Sequence, residues 1–321
     1  MKLGILLTKE HRLLSVAAML DVFETANRYY EDEGKTRPFE IELLHLPQHD
    51  PVPYQGYTTR QVSPDSCYDL LLVPAFKQEW LAESLEANLG WIPWLQHQYL
   101  EGAAIASFCT GAFLLGATGL LDNKPATTHI NAESAFSKAF PLVLLQAEAV
   151  VTGQDRIYTS GGATNSFHLM LLLLELYCSR AIAVRAAKVF SIDMDRNRQS
   201  YFGTFAPGED HGDDLVKQAQ SEIRKNFHKA NTIEELITDV PSSRRNLVRR
   251  FKQVTGITPI EYLQKTRIEA AKQMLEQSRN SIMEVMLESG YNDLKTFRSL
   301  FKKNVGMTPT MYREKFSGQT A

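Results

Sequence analysis

The feature that most restricts this chain is a duplication in its last third. Phe251, Lys252, Gly256, Thr258, Pro259 and Tyr262 recur fifty positions later as Phe301, Lys302, Gly306, Thr308, Pro309 and Tyr312. Upstream, Ile233 and Leu236 match Ile282 and Val285 at a spacing of forty-nine, so the second copy holds one extra residue in its turn. Self-similarity of this kind means one supersecondary unit built twice. Each copy reads as a short helix, a tight turn (Val240-Pro241-Ser242, then Gly290-Tyr291-Asn292) and a longer helix, the outline of a helix-turn-helix.

Helical geometry assigns faces to the longer helices. At about 100° per residue, Leu247 and Phe251 share one face while Arg245 and Arg249 share the nearly opposite one. In the second copy Phe297 and Phe301 point inward, which leaves Lys295, Ser299 and, to one side, Arg298 outward. Two helices therefore offer cationic and polar side chains to a major groove, and double-stranded DNA is the expected partner. The candidate contacts are Ser243, Arg244, Arg245 and Arg249 in the first unit and Asn292, Lys295, Thr296, Arg298 and Ser299 in the second. Arginine can grip guanine with two hydrogen bonds, whereas lysine and hydroxyls reach phosphates or base edges. The helix expected over Ile260–Glu276 is roughly 25 Å long at ~1.5 Å per residue. With its turns it sets the two recognition helices near the ~34 Å repeat of the duplex.

Charge agrees once the chain is divided. The overall balance of −2 hides 16 basic against 22 acidic residues over 1–208, and 19 against 11 over 215–321, a net of +8. A basic module behind an acidic one points to an anionic partner for the C-terminal part, nucleic acid first. That part reads as all-α: Leu215–Phe227, Ile233–Val240, Ser243–Val254, Ile260–Glu276, Ile282–Ser289 and Leu294–Asn304 carry helical apolar spacing.

Residues 1–165 read differently. Short apolar runs at Leu3–Leu7, Ile41–Leu46, Leu70–Val73 and Ala103–Phe108 alternate with helical stretches at Ser15–Tyr30 and Trp91–Leu100, and helices over Asn165–Cys178 and Ile182–Phe190 follow. This is the pattern of an α/β domain with a mainly parallel sheet covered on both faces. The expected division is a sensor domain over 1–195, a linker over 196–214 and an all-α domain over 215–321 with two helix-turn-helix units. No apolar run approaches the ~18 residues of a membrane span, and the first residues lack a signal-peptide core, so a cytoplasmic protein away from membranes is expected. Cys67, Cys109 and Cys178 form no Cys-x-x-Cys pair, and the histidines show no metal-ligand spacing, so no metal or other cofactor is expected.

The chemically suggestive segment is Ala103 to Phe113. A buried strand ends at Cys109 and a helix begins at once, as at a nucleophile elbow, and a thiol at the positive end of a helix is expected to favour thiolate. Ligands of doubly wound sheets lie beyond the carboxyl ends of the strands, which makes Ala75, Phe76, Cys109, Thr110, His129 and Gly162 the candidate effector pocket. His129 reads either as a base for Cys109 or as a hydrogen-bonded support beneath the pocket; His168 reads as packing. Trp80, Trp91 and Trp94 with Phe76 either cover a core or dimer seam or cage a cationic ligand.

Residues 215–317 resemble the DNA-binding domain of the AraC/XylS transcription regulators. The resemblance rests on Ser243, Arg245, Leu247, Arg249, Phe251, Gly256, Pro259, Tyr262, Arg267, Ala271 and Leu275, and then on Ile282, Gly290, Tyr291, Asp293, Phe297, Phe301, Gly306, Pro309, Tyr312 and Arg313. Similar members carry Gly near Pro241, Ala where Ile237 and Met286 stand, and Ser and Arg where Lys295 and Ser299 stand; Arg298 or Lys295 then takes over base contact in the second unit. With Gly119-Leu120-Leu121, Ala126-Thr127-Thr128-His129 and Thr159-Ser160-Gly161-Gly162-Ala163, the elbow makes residues 1–190 similar to the ThiJ/PfpI domain, a class I glutamine amidotransferase-like, flavodoxin-type fold. Together the two resemblances imply a transcription regulator with a small-molecule sensor, dimeric through its N-terminal domain, with amines, amino acids and betaines the first effector classes to screen. Thr110 stands where proteolytic relatives carry His, and Ser15 where catalytic relatives carry an acid, which implies no catalytic residues and no enzyme. The rival readings are a thiol enzyme, an amidase or glyoxalase-like, and a redox sensor at Cys109.

Overall fold

The computed structural model divides the chain into two compact units, residues 1–199 and 200–321. The structure describes residues 1–47, 56–57, 59–77, 79, 81–194, 205, 211–229, 232–237 and 240–317. Most of the expected linker over 196–214, and Trp80, lie outside them.

The first unit runs β1 (Lys2–Leu6), α1 (Leu13–Asp32), β2 (Glu40–His45), β3 (Thr59–Gln61), β4 (Leu70–Val73), α2 (Leu81–Glu86), α3 (Ile92–Leu100), β5 (Ala104–Phe108) and α4 (Ala112–Ala117). It continues through β6 (Pro125–Ala126), α5 (Glu133–Ala139), β7 (Leu144–Leu145), β8 (Val151–Gln154), β9 (Ile157–Ser160), α6 (Asn165–Tyr177) and α7 (Arg180–Val189). Among the described residues seven strands form a sheet in the order β3-β2-β1-β4-β5-β9-β8, parallel throughout except for β8, which pairs antiparallel with β9. The five strands β2-β1-β4-β5-β9 have the flavodoxin-like order, with the switch point between β1 and β4.

Strand periodicity splits the apolar residues between two cores. Ile5, Leu70, Leu72 and Ala106 face α1, α6 and α7, while Leu6, Leu71, Val73 and Ile105 face Trp91, Trp94, Phe113 and Leu114 on the opposite layer. That double coverage explains why β4 and β5 are buried at every position and read as unbroken apolar runs. The expected strands coincide with β1, β2, β4 and β5 to within a residue. The β8–β9 hairpin was not anticipated: Asp155 (φ 51°) and Arg156 (φ 63°) both adopt left-handed backbone in a turn without glycine, so the usual hairpin signal is missing.

Burial also corrects the aromatic cage. Phe76 and Trp91 are fully buried, and Trp91 and Trp94 stack edge to face at 5.7 Å inside the second core. These rings are packing, not the walls of a ligand site.

The second unit comprises α8 (Asp214–Asn226), α9 (Ile233–Leu236), α10 (Arg244–Thr255), α11 (Pro259–Gln277), α12 (Ile282–Glu288), α13 (Leu294–Val305) and α14 (Pro309–Phe316). The helix expected over Ile233–Val240 stops at Leu236, and α14 is an additional helix that mirrors the start of α11. Two separate cores form. Leu247, Phe251, Tyr262 and Leu263 build the first with α8; Ile268, Ala271, Leu275, Val285, Phe297, Phe301 and Tyr312 build the second. No helix among the described residues is long and apolar enough to cross a membrane.

Candidate nucleic-acid interface and ligand pocket

The duplication in sequence is a duplication in packing. Phe251 meets Tyr262 edge to face at 5.3 Å and 82°, and Phe301 meets Tyr312 at 5.6 Å and 78°. Both longer helices end at a left-handed glycine, Gly256 and Gly306, with the same hydrogen bond to the lysine carbonyl four residues back. Thr258 and Thr308 then cap the following helices, each with proline in the first turn.

These cores fix what faces outward. Arg244, Arg245 and Arg249 on α10, and Lys295, Thr296, Arg298 and Ser299 on α13, are all exposed. Ser243 caps α10 by accepting the Asn246 N–H at 3.4 Å, and Asn292 stands exposed just ahead of α13, whose cap is Asp293. Asn246 accepts from the Arg249 guanidinium at 3.1 Å and so restrains its direction. Of the four arginines on α10, Arg250 turns back to Asp213, the cap of α8, at 2.9 Å and is half-buried. The departures from the AraC pattern are accommodated inside: Met286 is buried in the second core and Ile237 packs partly against the first.

The elbow of the first unit lies at the carboxyl ends of β1, β4, β5 and β9. A single 3-10 turn, Cys109–Gly111, separates β5 from α4, and Cys109 adopts φ 57°, a strained left-handed conformation for a residue with a side chain. Surrounding bonds hold it there. Thr128 donates to the Cys109 carbonyl at 3.0 Å, and the Thr110 hydroxyl both accepts the Phe76 N–H and donates to the Phe76 carbonyl at 2.8 Å. Ala75 donates to the Ser15 hydroxyl at 3.1 Å and accepts the Arg12 N–H at 2.7 Å, which stitches the start of α1 to the segment after β4. Gly162 lies against His129 so closely that a Cβ there would overlap the imidazole. The structure thus brings Cys109, His129 and Gly162 together, with His129 half-buried and the other two buried; Ala75, Phe76 and Thr110 are buried beside them as support. Ser15 accepts from Ala75 nearby, and the Arg12 charge acts on both Cys109 and His129. Arg12 follows β1 at the strand end where ligands of such sheets bind, and no local sequence pattern marks it. A cleft of about 490 Å³ lined by Met1, Glu24, Arg37, Phe39, Glu40 and Tyr57 opens at the amino ends of β1 and β2, the other end of the sheet from Cys109.

Residues 237–315 match the family model of a helix-turn-helix domain, and residues 55–176 match that of the DJ-1/PfpI family. The two matches fall on separate segments of the chain, one in each compact unit. It is 27% identical over 231 residues to the HTH-type transcriptional regulator GbdR of Pseudomonas aeruginosa, a match covering 70% of this chain and 61% of that protein. It is 29% identical over 226 residues to the HTH-type transcriptional regulator ArgR of the same species, covering 69% of this chain and 67% of that one. A solved structure from Vibrio parahaemolyticus assigned as a transcriptional regulator superposes with a TM-score of 0.51 at 21% identity, covering 59% of this chain and 98% of that chain; it speaks to the fold alone.

Electrostatics at the rim of the DJ-1/PfpI domain run against the thiolate expected from helix position. Burial pushes the Cys109 thiol up, and the N–H groups of Ala163 and Thr110 offset this only in part. His129 is shifted down, by burial first and by the Arg12 charge second. Its Nδ1 accepts the Asn131 N–H at 3.1 Å, which leaves the proton on Nε2 as a donor. His168, on α6, bonds through Nε2 to the Asp193 carbonyl at 2.8 Å and ties α6 to the segment after α7.

Proposed function

We propose that this protein is a sequence-specific, DNA-binding transcription regulator whose DJ-1/PfpI domain senses a small molecule without turning it over. The observation that carries the reading is the repeated Phe–Tyr core, which turns a basic, polar face of α10 and of α13 to solvent in the same way. Arg245 and Arg249 are the candidates for base contact in the first unit, with Ser243 and Arg244 beside them. Lys295, Thr296, Arg298, Ser299 and Asn292 serve the second. The effector binds around Cys109, His129 and Gly162, and a homodimer in the cytoplasm forms through the N-terminal domain. The buried, raised thiol of Cys109 favours sensing over thiol catalysis.

The test is binding of the full chain to duplexes selected by it from a randomised pool. Affinity is expected to fall steeply and log-linearly with salt, because phosphate neutralisation supplies much of it. Failure to enrich any sequence would overturn the DNA reading. For the sensor half, thermal shift against amines, amino acids and betaines is expected to find a stabilising ligand, and Gly162→Ala to abolish the shift by displacing His129. Cys109-dependent turnover of small amides or α-ketoaldehydes would make the N-terminal domain an enzyme instead.

A further inference from the structure

The two helix-turn-helix cores are separate, yet α11 belongs to both. Its Tyr262 and Leu263 lie in the first core, and its Ile268, Ala271 and Leu275 in the second. Arg267 falls at the seam between them and is only 8% exposed. Its Nε donates to the Phe227 carbonyl at the end of α8 at 2.9 Å, and its guanidinium lies 5.4 Å from the centre of the Tyr291 ring. Tyr291 in turn packs on Phe297 of α13 at 5.4 Å. The turn before α13 closes onto the same spot: a Cβ at Gly290 would sit 2.7 Å from the Phe227 oxygen and 2.9 Å from the Arg267 Nε, and its φ of +87° suits glycine. One guanidinium therefore joins the end of the first unit, the shared helix and the turn that launches the second recognition helix. A lysine, with one rotatable ammonium, cannot hold a carbonyl and keep a planar cation beside a ring in the same fixed way.

We infer that Arg267 is a positioning residue that fixes the separation and rotation of α13 relative to α10, and so sets the spacing at which the two helices engage the two halves of a DNA site. This rests on the DNA-binding reading above. Burial lowers the pKa of Arg267, but arginine keeps its charge, so the junction does not switch with pH. The geometry makes the pair of helices a rigid caliper. Each base pair inserted between the halves turns the second half by about 35° and moves it ~3.4 Å, which a fixed α13 cannot follow.

The experiment uses the full chain and a duplex enriched by it from a random pool, together with versions carrying one, two or five extra base pairs between the two halves of the enriched sequence. Binding is read by fluorescence anisotropy. Wild-type affinity is expected to fall about tenfold or more with two inserted pairs. Arg267→Met fills similar volume without donors; it is expected to bind the parent duplex about tenfold more weakly and to lose less than about threefold on the same insertion. Arg267→Lys should fall between. An insertion penalty in Arg267→Met equal to that of the wild type, or a wild type indifferent to insertion, overturns the inference while leaving DNA binding intact. Circular dichroism and melting accompany both variants. If neither folds, Arg267 is a core requirement with no separable positioning role, and the inference falls. If the wild type enriches no duplex, it is the DNA reading that fails.

Discussion

The two helix-turn-helix units share a scaffold and differ in what they show to solvent. Their Phe–Tyr pairs agree within 0.3 Å and 4° (5.3 Å and 82° against 5.6 Å and 78°). Outward, the first presents Arg244, Arg245 and Arg249, with a neutral serine cap, while the second presents Lys295, Thr296, Arg298 and Ser299, with a charged aspartate cap. Phe251 and Tyr262 recur as Phe301 and Tyr312 because one packing solution dictates them, while the neighbouring core position changes from Leu247 to Phe297. Outward positions are not held by that packing, and most of them differ between the units. The difference is chemical: the first outer face carries three guanidinium groups, and the second mixes an ammonium, a guanidinium and two hydroxyls.

The largest effect should fall where the copies agree. Phe251→Ala and Phe301→Ala are each expected to cost about 3–5 kcal/mol in denaturant unfolding, because each empties a fully buried ring site. Similar losses support one scaffold; a loss at only one site breaks the equivalence. Next comes base recognition. Arg245→Ala should weaken binding to the selected duplex by ~1–3 kcal/mol and relax preference at one position, measured by competition with single-base variants. Lys295→Ala should weaken binding to all sequences about evenly and lower the salt slope by about one; a specificity change as large as that of Arg245→Ala would erase the contrast between the units.

Smaller effects separate the caps. Ser243→Ala should destabilise by about 1 kcal/mol at any pH, read by thermal unfolding, since its cap bond involves no titrating group. The Asp293 cap depends on pH. Bonds from the Thr296 hydroxyl and N–H hold its carboxyl below the ordinary value. Its contribution is then complete above the unfolded carboxylate pKa of about 3.9 and is lost as pH falls through the lower folded value. Asp293→Ser should leave neutral stability nearly unchanged and flatten that acid limb. An acid limb identical to the wild type would show that the cap adds nothing.

Much of this was legible in the chain itself. The fifty-residue recurrence gave two units, and helical periodicity separated Leu247 and Phe251 from Arg245 and Arg249, because both depend on neighbours along one helix. The parallel strands were visible as unbroken apolar runs. The hairpin at Asp155 and Arg156 escaped because two residues with side chains accept backbone angles that usually mark glycine. At the pocket, Cys109 could be placed at a strand end, but the state of its thiol could not be read. That state is set by how much water the fold removes around it, and the local pattern of strand and helix pointed the wrong way.

The division has a physical basis. Sequence alone determined the number and type of the modules and the two faces of each recognition helix, since these follow from short-range geometry and charge. Only the tertiary structure decided that Thr110 braces Phe76, that Trp91 and Trp94 fill a core, that Arg12 meets the rim of Cys109, and that Arg267 closes the seam between the units. Each of these brings together residues from separate elements, and both the desolvation of a buried group and its choice of partner come into being when those elements pack.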